Sequence, residues 1–315
     1  MTVLIDKYIP FLAGVLDPYA NVTFLAPEEF TPERVKDADV LFIRTRTRCD
    51  AKLLQGSRVR FIATATIGFD HIDTAYCLSH NIHYVSCPGC NAQAVCDYIE
   101  EAIRTLGLLR SGITLGIVGV GHVGSLVTQM ATSHGMNILL NDPPRGIGVS
   151  LDELARHSDI ITFHTPLSSD GTHPTHHLCN QDLMQLMHPN TVVINAARGG
   201  IVDERALLNS GHPYVIDCWE GEPNLNLDVL LSPSCRLASF HIAGYSVQGK
   251  MNASQMCLNA FSEYFHLPAL KIQNNFVPLS AESGDNAPGW LTRITSDLKA
   301  NPHNFEQLRK QYKLR

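Results

Sequence analysis

Three residues late in the chain carry side chains suited to holding an anion and moving a proton. Arg198 lies in Asn195-Ala196-Ala197-Arg198-Gly199-Gly200, Glu222 in Asp217-Cys218-Trp219-Glu220-Gly221-Glu222-Pro223, and His241 in Ser239-Phe240-His241-Ile242-Ala243-Gly244-Tyr245. A planar guanidinium grips a carboxylate through two parallel hydrogen bonds and polarises a carbonyl beside it. A histidine titrates near neutrality, so it is the natural group to take a hydroxyl proton as hydride leaves the same carbon. A carboxylate bonded to its far nitrogen fixes the tautomer and favours the protonated ring. Taken singly, the three read better as a surface ion pair, a helix-start acid and a strand-end histidine. Their meaning depends on the elements that carry them.

Each follows a short apolar run that reads as a buried strand: Val192 to Asn195, Tyr214 to Asp217, and Leu237 to Phe240, with Ile160 to Phe163 ahead of them. Further upstream the strand-like Leu115-Gly116-Ile117-Val118 runs into Gly119-Val120-Gly121-His122-Val123-Gly124, and Ser125 to Ala131 continues with helical spacing. A strand, a tight glycine turn and a helix N-terminus make a pyrophosphate site. The glycines let the backbone come close, and the unpaired N–H groups and helix dipole favour negative charge. A second strand, Asn137 to Asn141, ends at Asp142, eighteen residues after Gly124, where an acid accepts hydrogen bonds from an adenosine ribose. The pattern predicts a dinucleotide site formed by Gly119, Gly121, His122, Val123, Gly124 and Asp142. Downstream of such a site, Arg198, Glu222 and His241 read jointly as a catalytic set.

The first ninety residues alternate strand-like runs (Thr2 to Ile5, Val22 to Leu25, Val40 to Ile43, Phe61 to Thr64, Ile82 to Val85) with helix-like ones (Thr31 to Ala38, Ala51 to Leu54, Ile72 to His80). That rhythm belongs to a parallel sheet with crossover helices. Asn91 to Leu109 is one long helical pattern leading into the nucleotide-binding part, and Gly249 to His266 reads as a helix returning to the first domain. Gln273 to Gly289 is rich in Asn, Ser, Gly and Pro and reads as a loop or linker, followed by a polar tail, helical from Asn304 to Tyr312. The expected fold is therefore α/β: two doubly wound, Rossmann-like or flavodoxin-like parallel-sheet domains with an interdomain cleft. Residues 1–91 plus 266–315 form the substrate-binding domain, and 92–265 the nucleotide-binding domain. With 315 residues, 44% hydrophobic and 17% charged, the composition is that of a soluble globular protein. A net charge of -6 gives no reason to expect nucleic acid or an anionic membrane as partner. No apolar run approaches the ~20 residues of a membrane span, and no signal peptide is recognisable. Nine scattered cysteines read as reduced thiols of a cytoplasmic protein.

The chain resembles the D-isomer-specific 2-hydroxyacid dehydrogenases from about residue 1 to residue 268. The glycine fingerprint, the Asn-x-x-Arg-Gly segment, the Asp-x-x-x-x-Glu-Pro segment and the late histidine appear in that family's order. The resemblance implies catalytic roles for Arg198, Glu222 and His241, with His241 as proton donor and acceptor and Glu222 as its partner. It implies NAD as cofactor, with Asp142 repelling the extra phosphate of NADP and Thr165, Ala196, Asp217 and Gly244 lining the site. Longer runs narrow the likeness: Arg44-Thr45, Thr64 to His71, Pro88 to Ala92, Asp142 to Arg145, Phe163 to Leu167, Trp219 to Pro223 and His241 to Ser246. They resemble the branch of the family that oxidises 4-phospho-D-erythronate at its 2-hydroxyl in pyridoxal phosphate biosynthesis. By that likeness Thr45, Thr66 and Tyr245 contact a phosphorylated hydroxy acid and the chain forms a homodimer. Arg44, Arg46 and Arg48 alternate along one loop and supply candidate cations for the phosphate. Rival readings are another 2-hydroxy acid (3-phosphoglycerate, or glycerate and hydroxypyruvate) and a non-catalytic NAD-sensing scaffold, against which the intact Arg198, Glu222 and His241 argue. Three features depart from the branch: only six residues (Leu208 to Pro213) before the strand at Tyr214, a short Arg145 to Leu151 connection, and a C-terminal dimerisation module reduced to Phe305 to Tyr312.

Two further signals are read as structural. Cys87-Pro88-Gly89-Cys90 has the spacing of a redox or zinc half-site but no matching second pair. His173, His176 and His177 lack a carboxylate at ligand spacing and read as an exposed loop. No metal is expected. Trp219 reads as a core or cofactor-wall residue.

Overall fold

The computed structural model describes residues 1–273 and 289–314. The chain divides into two compact units, Met1–Asn91 with Ser246–Pro278, and Ala92–Tyr245 with Leu279–Arg315. Both are α/β.

In the first unit, β1 (Thr2–Asp6), β2 (Asn21–Leu25), β3 (Val40–Ile43), β4 (Phe61–Thr64) and β5 (His83–Val85) form a parallel sheet in the order β2-β1-β3-β4-β5. Every residue of β3 and β4 is buried, because a parallel sheet with helices on both faces hides both sides of its central strands. Alternate residues serve two cores. Val3, Ile5, Val40, Phe42 and Phe61 meet Ala253, Cys257 and Phe261 of the Val247–Tyr264 helix. On the other face Leu4, Leu41, Ile43 and Ile62 meet Val35, Leu53 and Cys77.

The second sheet contains β6 (Thr114–Val118), β7 (Asn137–Asp142), β8 (Ile147–Gly148), β9 (Ile160–Phe163), β10 (Val192–Asn195), β11 (Tyr214–Ile216) and β12 (Cys235–Ala238), in the order β12-β11-β10-β9-β6-β7-β8. Only the two-residue β8 runs antiparallel. The strand order reverses beside β6, and such a switch point opens a ligand crevice at the carboxyl ends of the strands. The Ala92–Thr105 helix buries Val95, Tyr98, Ile99, Ala102 and Ile103 in this core. The short connection before β11 is closed by Gly211, which ends the Glu204–Ser210 helix in the left-handed region at φ 75° and lets the strand begin three residues later.

The described structure corrects the expected domain boundaries at the C-terminal end. The Val247–Tyr264 helix, read as returning to the first domain yet enclosed in the 92–265 range of the nucleotide-binding domain, packs on the first sheet. The final residues, expected with the first domain, pack on the second sheet through a helix that the sequence reading missed, Trp290–Ala300. Its stripe of Trp290, Leu291, Ile294 and Leu298 is buried. The helix covers the edge of β12: Ala238 donates its N–H to the Thr295 hydroxyl (2.9 Å), and Lys299 Nζ donates to the Cys235 carbonyl (2.8 Å). Covering an unpaired edge this way satisfies its polar backbone and blocks further strand addition. The Gln273 to Gly289 stretch, expected as a loop, lies outside the described residues except for its two ends.

Candidate active site

The turn between β6 and the His122–Ser133 helix is shaped by glycines that no other residue replaces cheaply. A Cβ on Gly124 would lie 2.0 Å from the Gly119 carbonyl oxygen, so the helix can approach the turn only without a side chain there. Gly119 has φ +89°, and a Cβ on it would meet the His164 carbonyl group and the Thr165 methyl at 2.9 Å. Gly121, the N-cap, offers no side chain and has open space above its Cβ position. The first-turn N–H groups of His122, Val123 and Gly124 therefore have an unobstructed approach for an anion. Asp142, at the end of β7, is nearly buried, and its Oδ2 accepts from Val120 N (2.8 Å), fixing the carboxylate over the turn. The Arg145 guanidinium donates to the Val120 carbonyl from the other side. Beyond β9, the Thr165 hydroxyl is buried without a hydrogen-bond partner. Such a group is costly unless a ligand completes it. These residues fit a dinucleotide.

The catalytic candidates sit past the carboxyl ends of three neighbouring strands, whose register pairs Asn195 with Ile216 and Ile216 with Ala238. His241 is not the last residue of a strand, since β12 ends at Ala238. It lies in a loop held from beneath by Asp217. The Asp217 carboxylate accepts from Ser239 Oγ (2.6 Å), Ile242 N (2.7 Å) and Ala243 N (2.9 Å), and His241 N donates to the Asp217 carbonyl (2.9 Å). These bonds hold His241 in the left-handed region at φ 58°, a strained conformation for a histidine that the surroundings must impose. Asp217, expected to line the cofactor, is only 1% exposed and spends its carboxylate on this loop. Its visible role is to anchor His241.

Glu222 meets His241 directly: Nδ1 lies 2.8 Å from Oε2 and 3.1 Å from Oε1. Oε1 also accepts from Trp219 N (2.8 Å). Trp219 is buried and donates its indole N–H to the Ser239 carbonyl (2.7 Å), tying the Glu222 segment to the His241 loop. The Cys218 sulfur beside the ring and the Glu222 carboxylate together hold the His241 pKa well above the ordinary histidine range, against the effect of burial. Burial pushes the Cys218 thiol up as well. Arg198 is placed by Asn195, whose side chain donates to the carbonyls of Arg198 (2.9 Å) and Cys218 (3.2 Å). A Cβ on the next residue, Gly199, would lie 2.0 Å from the Trp219 carbonyl oxygen, so the Arg198 turn rests directly on the segment leading to Glu222. The guanidinium itself donates to the Ala197 carbonyl (2.8 Å). Ala196 is buried, and Gly244 is half-buried beside Tyr245.

In the first unit, Arg44 forms a forked pair with the buried Asp6 (2.9 and 3.2 Å) and lies over the Tyr8 ring. Arg48 pairs with Asp50 (3.0 Å). Thr45 and Arg46 are exposed on the same loop. Thr66 Oγ1 donates to the Gly68 carbonyl and joins a chain through Thr64 to His71 Nε2 (2.7 and 3.0 Å). Burial, and then Arg44, lower the pKa of Lys250.

Several residues that carry this geometry were missed by sequence reasoning. Cys218 brings its sulfur within 4.8 Å of donor atoms of Glu222 and His241. Glu204, at the start of a helix, is buried and accepts from Glu220 N (2.6 Å); burial raises its pKa to about 7. His177, read as part of a loop without a carboxylate partner, meets Glu220 at 2.9 Å and Asp203 at 3.7 Å, because folding delivers acids that chain spacing does not. Arg309 lies over the Tyr245 ring, 5.3 Å from its centroid. All nine cysteines are free and buried, and among the described residues no helix is long and apolar enough to cross a membrane.

Residues 90–243 match the model of the D-isomer specific 2-hydroxyacid dehydrogenase NAD binding domain. The chain is 40% identical to the erythronate-4-phosphate dehydrogenase of Bacteroides fragilis, over all of this chain and 97% of that protein. It is 42% identical to the one from Porphyromonas gingivalis, over 99% of this chain and 92% of that protein. Among solved structures, NAD-bound 3-phosphoglycerate dehydrogenase from Entamoeba histolytica superposes with a TM-score of 0.70 at 23% identity, covering 88% of this chain and 99% of that one. D-lactate dehydrogenase from Aquifex aeolicus, solved with NAD and lactic acid, gives 0.65 at 22% identity over 84% and 96%. With the site's geometry, these likenesses establish that the chain belongs to the D-isomer-specific 2-hydroxyacid dehydrogenase family and is an NAD-dependent dehydrogenase.

Proposed function

We propose that the chain oxidises the 2-hydroxyl of 4-phospho-D-erythronate to give 3-hydroxy-2-oxo-4-phosphobutanoate. The observation that carries the chemistry is the 2.8 Å contact between His241 Nδ1 and Glu222 Oε2. With Nδ1 protonated and committed to Glu222, Nε2 is the atom left to accept the proton of the 2-hydroxyl. The carboxylate offsets the positive charge that appears on the ring, so proton transfer builds no uncompensated charge in a half-buried site. NAD, when bound, accepts the hydride from the same carbon. Arg198 pairs with the substrate carboxylate, and its charge polarises the adjacent carbon–oxygen bond as a carbonyl forms. Asp142 holds the adenosine ribose through the carboxylate oxygen that Val120 leaves free, and its charge selects against a 2′-phosphate. Thr45 and Thr66 contact the substrate hydroxyls, and Arg44 and Arg46 contribute positive potential.

The choice of substrate is supported by full-length likeness to proteins named for that acid. The enzyme works in the cytoplasm as a homodimer, in the biosynthesis of pyridoxal phosphate; sedimentation equilibrium tests the assembly. The substrate is tested by NADH formation with 4-phospho-D-erythronate, 3-phosphoglycerate and D-erythronate side by side. The first should be preferred by kcat/KM. A preference for 3-phosphoglycerate, or none for a phosphate, refutes the assignment.

A further inference from the structure

We propose that Arg309, carried by the C-terminal helix, receives the phosphate group of the substrate. The inference rests on the phosphorylated substrate argued above and adds the residue that would recognise the phosphate. A dianion needs a cation with donors to spare, and two of the three arginines of the 44–48 loop are committed elsewhere. Arg44 is forked onto the buried Asp6, and Arg48 is paired with Asp50.

Arg309 is placed differently. Its helix, Phe305–Gln311, is pinned to the second unit by Phe305, which is 1% exposed, and by the Tyr312 ring against Phe240 and Tyr245 (6.0 and 6.5 Å between centroids). The guanidinium lies on Tyr245, four residues beyond His241. Electrostatically it meets Tyr245, Glu222 and Glu306, so it belongs to the neighbourhood of the proton-transfer pair. Its Nε is buried without a hydrogen-bond partner. The carboxylate of Glu306 stands 3.6 Å from another of its nitrogens and is itself 39% exposed, a weak claim on the charge. Glu222 is already bonded to His241 and Trp219. A guanidinium with an unmade buried donor and a quarter of its side chain open to solvent is primed for an incoming oxyanion, which two parallel N–H groups grip best. Tyr245 beneath it supplies a flat support that fixes the fork.

The test compares kcat/KM for 4-phospho-D-erythronate and D-erythronate in the wild type, Arg309→Met and Arg309→Lys, with NADH binding by fluorescence as the check on folding. Loss of a charge-assisted contact predicts that Arg309→Met lowers the ratio of the two values by about 10- to 100-fold. Arg309→Lys, which keeps the charge and loses the fork, should lower it less. A helix that merely supports the fold would lower both values together, and an unchanged ratio in Arg309→Met overturns the inference while leaving the substrate reading standing. A wild type indifferent to the phosphate overturns both. If Arg309→Met fails to bind NADH, Arg309→Lys decides: a several-fold fall in the ratio supports the assignment and an unchanged ratio rejects it.

Discussion

Replacing Glu222 by glutamine tests the central pair most directly, because it removes a charge while keeping shape and an acceptor oxygen. In the folded protein the carboxylate lies 2.8 and 3.1 Å from His241 Nδ1. Opposite charges with centres about 4 Å apart attract by roughly 1 kcal/mol in water and about 4 kcal/mol at an effective dielectric constant near 20. The two side chains are 31% and 20% exposed, so solvent screening places the interaction toward the lower end, at about 1–2 kcal/mol or roughly one pKa unit. Oxidation requires the unprotonated ring, so kcat/KM rises with pH through the His241 pKa, which stands above the ordinary histidine range. Glu222→Gln should move that rising limb to lower pH by about one unit. The high-pH plateau should fall by about 10- to 100-fold, since the ring loses the partner that fixes its tautomer. Ketoacid reduction, which needs the protonated ring, should lose its activity at correspondingly lower pH. Cys218→Ala is the companion variant. It removes the sulfur that also holds the His241 pKa up, so its limb should move to lower pH as well. The assay is initial-rate NADH formation between pH 6 and 10. A Glu222→Gln limb that stays put, or moves upward, refutes the pairing as a source of the raised pKa.

Two other perturbations reach the parts of the second unit that the chemistry depends on. Asp142→Ala removes the acceptor of Val120 N and the proposed ribose carboxylate together, and should weaken NADH binding by about tenfold or more in a fluorescence titration while narrowing the preference over NADPH; unchanged affinity would place the ribose elsewhere. Glu204→Gln should stabilise the protein at pH 8 and leave it nearly unchanged at pH 4. The folded carboxyl titrates near 7 against an ordinary 4.5, so the folded state binds more protons in that window and loses stability as pH rises through it, by about 3 kcal/mol at most. Thermal unfolding at the two pH values measures the difference, and equal shifts at both would remove burial as the cause.

How much of this was legible in the sequence follows from which forces act locally. Apart from the two-residue β8, which was not read, the strands of the second sheet, with a two-residue offset at β12, and the glycine turn were readable because burial on both faces demands continuous apolar runs and because Gly124 and Gly119 sit where a Cβ has no room. The environment of His241 was not readable. Cys218 and Glu204 look like ordinary strand-end and helix-start residues, and their effect comes only from folded contacts with His241 and Glu220. The Trp290–Ala300 helix does carry a helical stripe, but its reason to exist is the exposed edge of β12, more than fifty residues earlier.

That Arg198, Glu222 and His241 follow three neighbouring strands has a topological cause that chain order alone already contains. Parallel strands joined by right-handed crossovers deliver consecutive carboxyl ends side by side at one rim, so successive strands become spatial neighbours there. Here Asn195 pairs with Ile216 and Ile216 with Ala238, and the three side chains follow within a few residues of those positions. What the register leaves open is the last few ångströms, and these are set by groups that do no chemistry. Gly199 admits the Trp219 carbonyl, Trp219 reaches the Ser239 carbonyl, and Asp217 holds the backbone of the 239–243 loop. A single methyl group at Gly199 would push apart the two segments that carry Arg198 and Glu222 without touching either side chain. The precision of the site is therefore stored in buried contacts beneath it, while its composition is fixed by the order of the strands.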